Sequence, residues 1–283
     1  MDHEAYLKRL EYDGPLEPGS ANTLAALHQR HLYSVPFENL DISMGTPIGL
    51  EANHLTEKII DRRRGGFCYE LNGLFALLLE RLGYAVRRLN ARVASDTDGF
   101  GIPFDHLCLL VSTTDGEFLA DVGFGESFRR PIPFALGALT SQDGTDYRLS
   151  AHDDGVLLSS RPPRAEDGSS EAVAFAPRYL FSTENYRLED FGHACSFHQH
   201  SPESPFTQKT LITIARPDGR LTLSDRGRIE TADRGRKRRE STIASGADYV
   251  STLIADFGFT SDEADRCQMV FDSEASRRPV RKD

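Results

Sequence analysis

The run Arg64-Gly65-Gly66-Phe67-Cys68-Tyr69-Glu70-Leu71-Asn72 breaks the chain with two glycines and then opens an apolar segment. Beyond Cys68, Leu71, Leu74, Phe75, Leu78 and Leu82 recur at helical spacing, and Gly83 supplies a stop. Apolar residues fall on more than one face, so this helix is expected at the centre of the core. Cys68 then sits at or just before its first turn. Unpaired backbone amides and the helix dipole favour an anion there, and a thiolate is such an anion. A helix start can lower a thiol pKa well below about 8.5. Most free cysteines are buried structural residues. The Gly-Gly entry, which permits a sharp turn, favours delivery of a reactive thiol instead.

Upstream, the chain reads as helices to about residue 84. His3 to Leu10 is a short one stopped by Asp13-Gly14-Pro15, Ser20 caps a second that Pro36 ends, and Leu55 to Ile60 forms a third. Downstream the period changes to two. Val86–Val93, His106–Ser112, Glu117–Val122, Tyr147–Ser150 and Val156–Ser159 read as strands, with Asp-Gly clusters between them. Such spacing suggests an antiparallel barrel or sandwich. Thr210–Arg216 and Arg220–Ser224 flank a hairpin signal, Ser245 with Asp248 opens an amphipathic helix, and the tail after Ser273 is expected to fray.

Composition narrows the function classes. The 283 residues are 39% hydrophobic and 27% charged, which fits a soluble globular protein large enough for a sizeable core. The first residues lack the basic start and apolar run of a signal peptide, and nothing reads as a membrane span. A net charge of −10 argues against a nucleic-acid partner. The one basic knot, 234–239, reads as a solvated hairpin tip. The four cysteines, Cys68, Cys108, Cys195 and Cys267, have no CxxC spacing, so neither a metal site nor a disulfide framework is expected. Asp96-Thr97-Asp98-Gly99 lacks the remaining ligands of a calcium loop. A cytoplasmic protein with reduced thiols is the expectation.

A reactive thiol needs a base. His106 opens the apolar strand Leu107-Cys108-Leu109-Leu110-Val111 and can project from its end into a cleft. Asp121 lies in Phe118-Leu119-Ala120-Asp121-Val122-Gly123-Phe124-Gly125, on a strand that pairs with the histidine strand across Thr114-Asp115-Gly116. An acid in such an apolar run is costly unless paired. Pairing with the imidazole would fix its tautomer and leave the other ring nitrogen for the thiol. Alternatively, Asp121 only caps the following turn. Together the three residues outline a Cys-His-Asp triad.

Several motifs in order then make a specific resemblance. Val35-Pro36-Phe37-Glu38-Asn39-Leu40, the Arg-Gly-Gly-Phe-Cys run, His106, Asp121-Val122-Gly123-Phe124-Gly125 and Ser201-Pro202-Glu203-Ser204-Pro205-Phe206 resemble the arylamine N-acetyltransferase family over almost the whole chain. The resemblance implies an α+β fold with a cysteine-protease-like core: a helical bundle carrying the nucleophile (1–84), an antiparallel β-barrel carrying His and Asp (85–185) and an α/β lid (186–283). It also implies ping-pong transfer of an acetyl group through a Cys68 thioester, with acetyl-CoA as co-substrate, no permanently bound cofactor or metal, and a small aromatic amine or hydrazine as acceptor. Phe37, Phe124 and Phe206 would line the acceptor pocket, Gly125 would lie near the donor, and Arg64 with Glu38 would brace the site. Phe37 and Phe206 are equally readable as ordinary core.

The chain departs from the family pattern at two points. Glu126 stands where many relatives carry a small residue, and its charge disfavours a pyrophosphate unless Arg129 or Arg130 offsets it. Asp105 replaces a small hydroxyl residue before His106. These changes keep open an amide synthase of the same family, fed by an acyl carrier protein. A papain- or transglutaminase-like thiol hydrolase and a non-catalytic binding module are the remaining alternatives.

Overall fold

Caps and turns set the helical N-terminal part of the chain. The computed structural model describes residues 1–95, 99–162, 173–224, 227–232 and 237–277, with side chains through Ser273. Asp2 accepts the Glu4 N–H in front of α1 (His3–Arg9), and Ser20 accepts the Thr23 N–H (3.4 Å) in front of α2 (Ala21–Ser34). α1 stops earlier than Asp13-Gly14-Pro15: the amides of Leu10, Glu11 and Tyr12 turn back onto Tyr6, Lys8 and Leu7, with Glu11 at φ 54°. After β1 (Phe37–Glu38) and α3 (Leu40–Met44), α4 (Ala52–Thr56) runs into a π-turn over Glu57–Asp61. The single helix expected at Leu55–Ile60 is therefore two pieces. The wider turn buries Lys58, Ile59 and Ile60 together.

α5 (Cys68–Arg81) is the central helix expected from its pattern. Leu71, Leu74, Phe75, Leu78 and Leu79 are all fully buried among α1, α2 and the adjoining sheet. Each such side chain contributes roughly 1.5–3 kcal/mol. Gly83, at φ 87°, follows the helix and turns the chain into the sheet.

That sheet is a nearly closed antiparallel barrel. Its strands are β2 (Ala85–Val93), β3 (His106–Thr113), β4 (Gly116–Ala120), β5 (Ile132–Pro133), β6 (Leu139–Gln142), β7 (Thr145–His152), β8 (Gly155–Arg161) and β9 (Ala176–Phe181). They run in the order β5-β4-β3-β2-β9-β8-β7-β6, and β3 and β4 pair across 113–116 as expected. β9 escaped the pattern because Pro177 interrupts it. A register shift at Leu158/Ser159 opposite that proline absorbs the lost ladder position. β4 ends at Ala120, so Asp121 lies one residue beyond the ladder and not within a strand reaching Val122.

The last third begins with a short 3-10 turn at Leu188–Phe191, α6 (Gly192–His200) and α7 (Pro205–Gln208). A second sheet follows: β10 (Leu211–Arg216), β11 (Gly219–Ser224), β12 (Gly227–Ala232) and β13 (Lys237–Ser241). α8 (Gly246–Phe257), capped by Ser245 on the Asp248 N–H (3.1 Å), and α9 (Ser261–Arg277) pack on it. β1 joins this sheet through Phe37↔Thr213 and Glu38↔Ile212, tying the N-terminal segment to the C-terminal one.

Two expectations change here. The tail is helical on to Arg277, because Ala264, Cys267 and Val270 form a buried stripe at three-residue spacing; its remainder lies outside the described residues. The basic knot contributes its exposed end, 237–239, to β13, while 234–236 lie outside the described residues, as does most of the Asp96–Gly99 loop. Among the described residues no helix is long and apolar enough to cross a membrane.

Candidate active site

α5 and β3 bring Cys68 and His106 to one cavity of about 540 Å³. His106 Nε2 donates to Asp121 Oδ2 at 2.8 Å, and His106 and Asp121 are 2% and 1% exposed. A carboxylate only accepts, so Nε2 carries a proton and Nδ1 is the nitrogen left to face a thiol. Burial alone would raise the Asp121 carboxyl. His106, Asn72 and the Gly123 N–H outweigh it and hold the group below its usual value. Asp121 makes both contacts. Oδ2 takes the imidazole, while Oδ1 caps the turn by accepting the Gly123 N–H at 3.0 Å.

Two residues without a role in the sequence reading fix this aspartate. Asn72, one helical turn from Cys68, donates to Asp121 Oδ1 (2.9 Å) and the Leu107 carbonyl (2.6 Å) and accepts the Val122 N–H (2.9 Å). The four-residue spacing from Cys68 was the available signal. His28, from α2, accepts the Asp121 N–H at Nε2 (3.0 Å) and has Nδ1 3.0 Å from the Arg129 carbonyl. This pattern requires the neutral imidazole protonated on Nδ1. Burial agrees, lowering its pKa to about 4. Nothing local in sequence marks His28.

Burial pushes Cys68 well above its ordinary value; a backbone hydrogen bond from Leu107 opposes this, and the charges of Asp105 and Asp121 reinforce it. At the helix start Glu70 Oε2 accepts the Phe67 N–H (3.1 Å). Burial thus disfavours a lone Cys68 thiolate.

Phe37, Phe124 and Phe206 line the same cavity as Cys68 and His106. Phe124 meets His106 edge-on with ring centres 5.2 Å apart, and Phe37 and Phe206 lie 6.1 Å apart. Gly125 is outside the cavity lining but borders it. At φ 82° it takes a left-handed turn, and a Cβ there would sit 3.7 Å from Phe37. Asp105, already marked as a departure from the family pattern, lines the cavity too, with His198 and Glu203, which had been given no role.

Arg64 and Glu38 form the expected ion pair, 2.8 Å apart and fully buried, behind the cavity and not in it. The pair belongs to a larger cluster. Arg64 also reaches Asp41 (3.1 Å) and Glu263 (3.2 Å), and Lys58 reaches Asp41 and Glu70 (2.7 Å each). Burial would lower the Arg64 and Lys58 pKa values, but these acids raise both. Glu70 is pushed up to about 7 by burial, with Lys58 opposing.

Beside Gly125, Glu126 is exposed. Arg129 does not serve it: its guanidinium bonds the carbonyls of Pro217 and Gly219. Arg178 donates to the Glu126 main-chain carbonyl (2.8 Å) and lies over Phe124 (5.1 Å), and Arg220 feels the Glu126 charge.

Comparison with known proteins gives a consistent set of likenesses. A family model described as N-acetyltransferase matches residues 20–266. An arylamine N-acetyltransferase of Mycolicibacterium smegmatis is 34% identical over 91% of this chain and 92% of its own length, and one of Escherichia coli is 29% identical over 92% and 89%. The structure of the Mycobacterium marinum arylamine N-acetyltransferase in complex with CoA superposes with a TM-score of 0.83 at 30% identity, covering 96% of this chain and 99% of that one.

Proposed function

Because the chain belongs to the arylamine N-acetyltransferase family, we propose that it moves an acetyl group from acetyl-CoA to an arylamine or hydrazine through a thioester on Cys68. The observation that carries the residue assignment is the 2.8 Å His106–Asp121 bond, which leaves His106 Nδ1 for the thiol that shares its cavity. The Cys68 proton passes to Nδ1, and the buried Asp121 charge stabilises the resulting imidazolium. The thiolate attacks the acetyl carbonyl carbon. The carbon–sulfur bond to CoA breaks, and the departing thiolate takes the proton back from Nδ1. An amine then attacks the Cys68 thioester, its surplus proton travels through Nδ1, and the restored thiol leaves. Asn72 and His28 are positioning residues for Asp121.

The aromatic walls suit a flat acceptor. Arg178 and Arg220 beside Glu126 support CoA as the donor carrier despite that acid. The relatives do not favour an amide synthase fed by a carrier protein. The chemistry uses no resident metal or prosthetic group, and the four unpaired thiols are in keeping with a reducing cytoplasm.

Intact-protein mass spectrometry after mixing with acetyl-CoA tests this. Wild type should gain one acetyl group, Cys68→Ala none, and an aromatic amine should discharge the adduct. His106→Ala should abolish acetylation, and Asp121→Asn should slow it at least 100-fold. An adduct that persists in Cys68→Ala would remove the assignment.

A further inference from the structure

Asp105 and His198 meet in the wall of the Cys68 cavity, outside the set of residues that moves the acetyl group. His198 Nε2 donates to Asp105 Oδ1 (3.0 Å), and Asp105 Oδ2 accepts the Val93 N–H (3.1 Å). On its other side His198 Nδ1 lies 3.1 Å from Ser204 Oγ, and the Phe206 ring packs edge-on at 5.2 Å. His198 is thereby buried and held, while the Asp105 side chain remains 14% exposed. Glu203, exposed, lines the same cavity. Among the described lining residues there is no arginine or lysine.

His198 can neutralise one of these acids at most. His106 is neutral once the departing CoA thiolate has taken its proton, so in the acetyl-enzyme Asp105 and Glu203 leave the wall net negative whichever protonation state His198 holds. An acceptor amine must reach the thioester on Cys68, so its ring enters this space. Asp105 and Cys68 line the same cavity. A carboxylate on the ring then faces like charge. At an effective dielectric constant of about 20, a like charge some 8 Å away costs about 10-fold or more in affinity.

We propose that the acid-lined wall selects the acceptor by charge. Neutral and cationic arylamines and hydrazines are taken, ring-carboxylated ones are refused, and Asp105 is the specificity-determining residue. The proposal rests on the acetyltransferase reading above.

The test compares kcat/KM of the acetylated enzyme for methyl 4-aminobenzoate and for 4-aminobenzoate. The carboxylate withdraws less from the ring than the ester, so its amine is the better nucleophile and chemistry alone favours the acid. Both acceptors discharge the same acetyl-enzyme, so the ratio cancels any effect of a variant on thiol acidity or on the donor step. Wild type should prefer the ester by about 10-fold or more. Asp105→Asn should cut that preference by roughly 10-fold, and Glu203→Lys, at an exposed position, should shift it the same way. An acetyl-enzyme that both amines discharge equally, or a preference untouched by both substitutions, overturns the proposal alone. Failure to form the acetyl-enzyme at all would overturn the acetyltransferase reading and this proposal with it.

Discussion

At the scale of the residue, His28 shows how a side chain with no motif around it can govern a reactive centre. Its two ring nitrogens tie the Asp121 N–H to the Arg129 carbonyl, and its ring stacks on Phe128 with centres 5.7 Å apart. His28→Phe keeps an aromatic ring there and removes both hydrogen bonds. It leaves the buried Asp121 N–H unsatisfied, at about 1–3 kcal/mol, and takes a partner from the Arg129 carbonyl. If the only consequence were stability, the chemistry of Cys68 would be unmoved. A displaced Asp121 would instead stabilise the imidazolium less, so the pH profile of Cys68 alkylation by iodoacetamide should move to higher pH. An unshifted profile would leave His28 a purely structural residue. Cys68, His106 and Asp121 could be proposed from sequence because each sits at a marked place: a helix start, a strand start, an acid in an apolar run. His28 and His198 could not, since the acids they serve, Asp121 and Asp105, are 93 residues away in each case.

At the scale of the element, the site depends on how closely the turn after β4 approaches the start of α5. A Cβ on Gly123 would lie 2.7 Å from both the Cys68 Cα and Asn72 Nδ2, so only glycine fits without displacing backbone. Gly123→Ala should lower the midpoint of thermal unfolding by several degrees, corresponding to roughly 1–3 kcal/mol, and slow the acetylation of Cys68. An alanine variant with wild-type Tm and acetylation rate would show that the turn has room to yield. The same scale explains which elements the sequence disclosed. α5, β3 and β4 carry long apolar patterns, and their periodicity placed them. β1, with two residues, and β5, with two, have no period to read. β9 contains a proline, and α9 has only a narrow buried stripe on a polar helix. Their pairing is decided by tertiary contact, as when Phe37–Glu38 adds an edge to β10.

At the scale of the whole molecule, buried titratable groups set how stability varies with pH, and they act in opposite directions. His28 is held to about 4 by burial against an ordinary 6.5, and His31 is driven in the same direction. Between about pH 6.5 and 4 the unfolded chain takes up protons at these sites that the folded chain refuses, so stability is lost as pH falls. Glu70 works the other way. With its carboxyl raised from 4.5 to about 7, the folded chain holds a proton there that the unfolded chain releases, so stability is lost as pH rises across that window. His31 separates the two contributions, because both of its ring nitrogens are buried without a hydrogen-bond partner between Tyr6 and Phe75. His31→Leu removes a buried polar group that gains nothing in return, so unfolding by urea at pH 7 should require as much denaturant as in wild type, or more. Across pH 6.5 to 4.5 the variant should lose stability more gently, by up to one proton's slope, about 1.4 kcal/mol per pH unit. Glu70→Gln should do the reverse and steepen the acid loss. If His31→Leu instead follows the wild-type curve at every pH, His31 takes up no protons differentially on unfolding, and the acid sensitivity belongs to His28 and the carboxylates Asp41, Asp121 and Glu263, whose pKa values folding lowers.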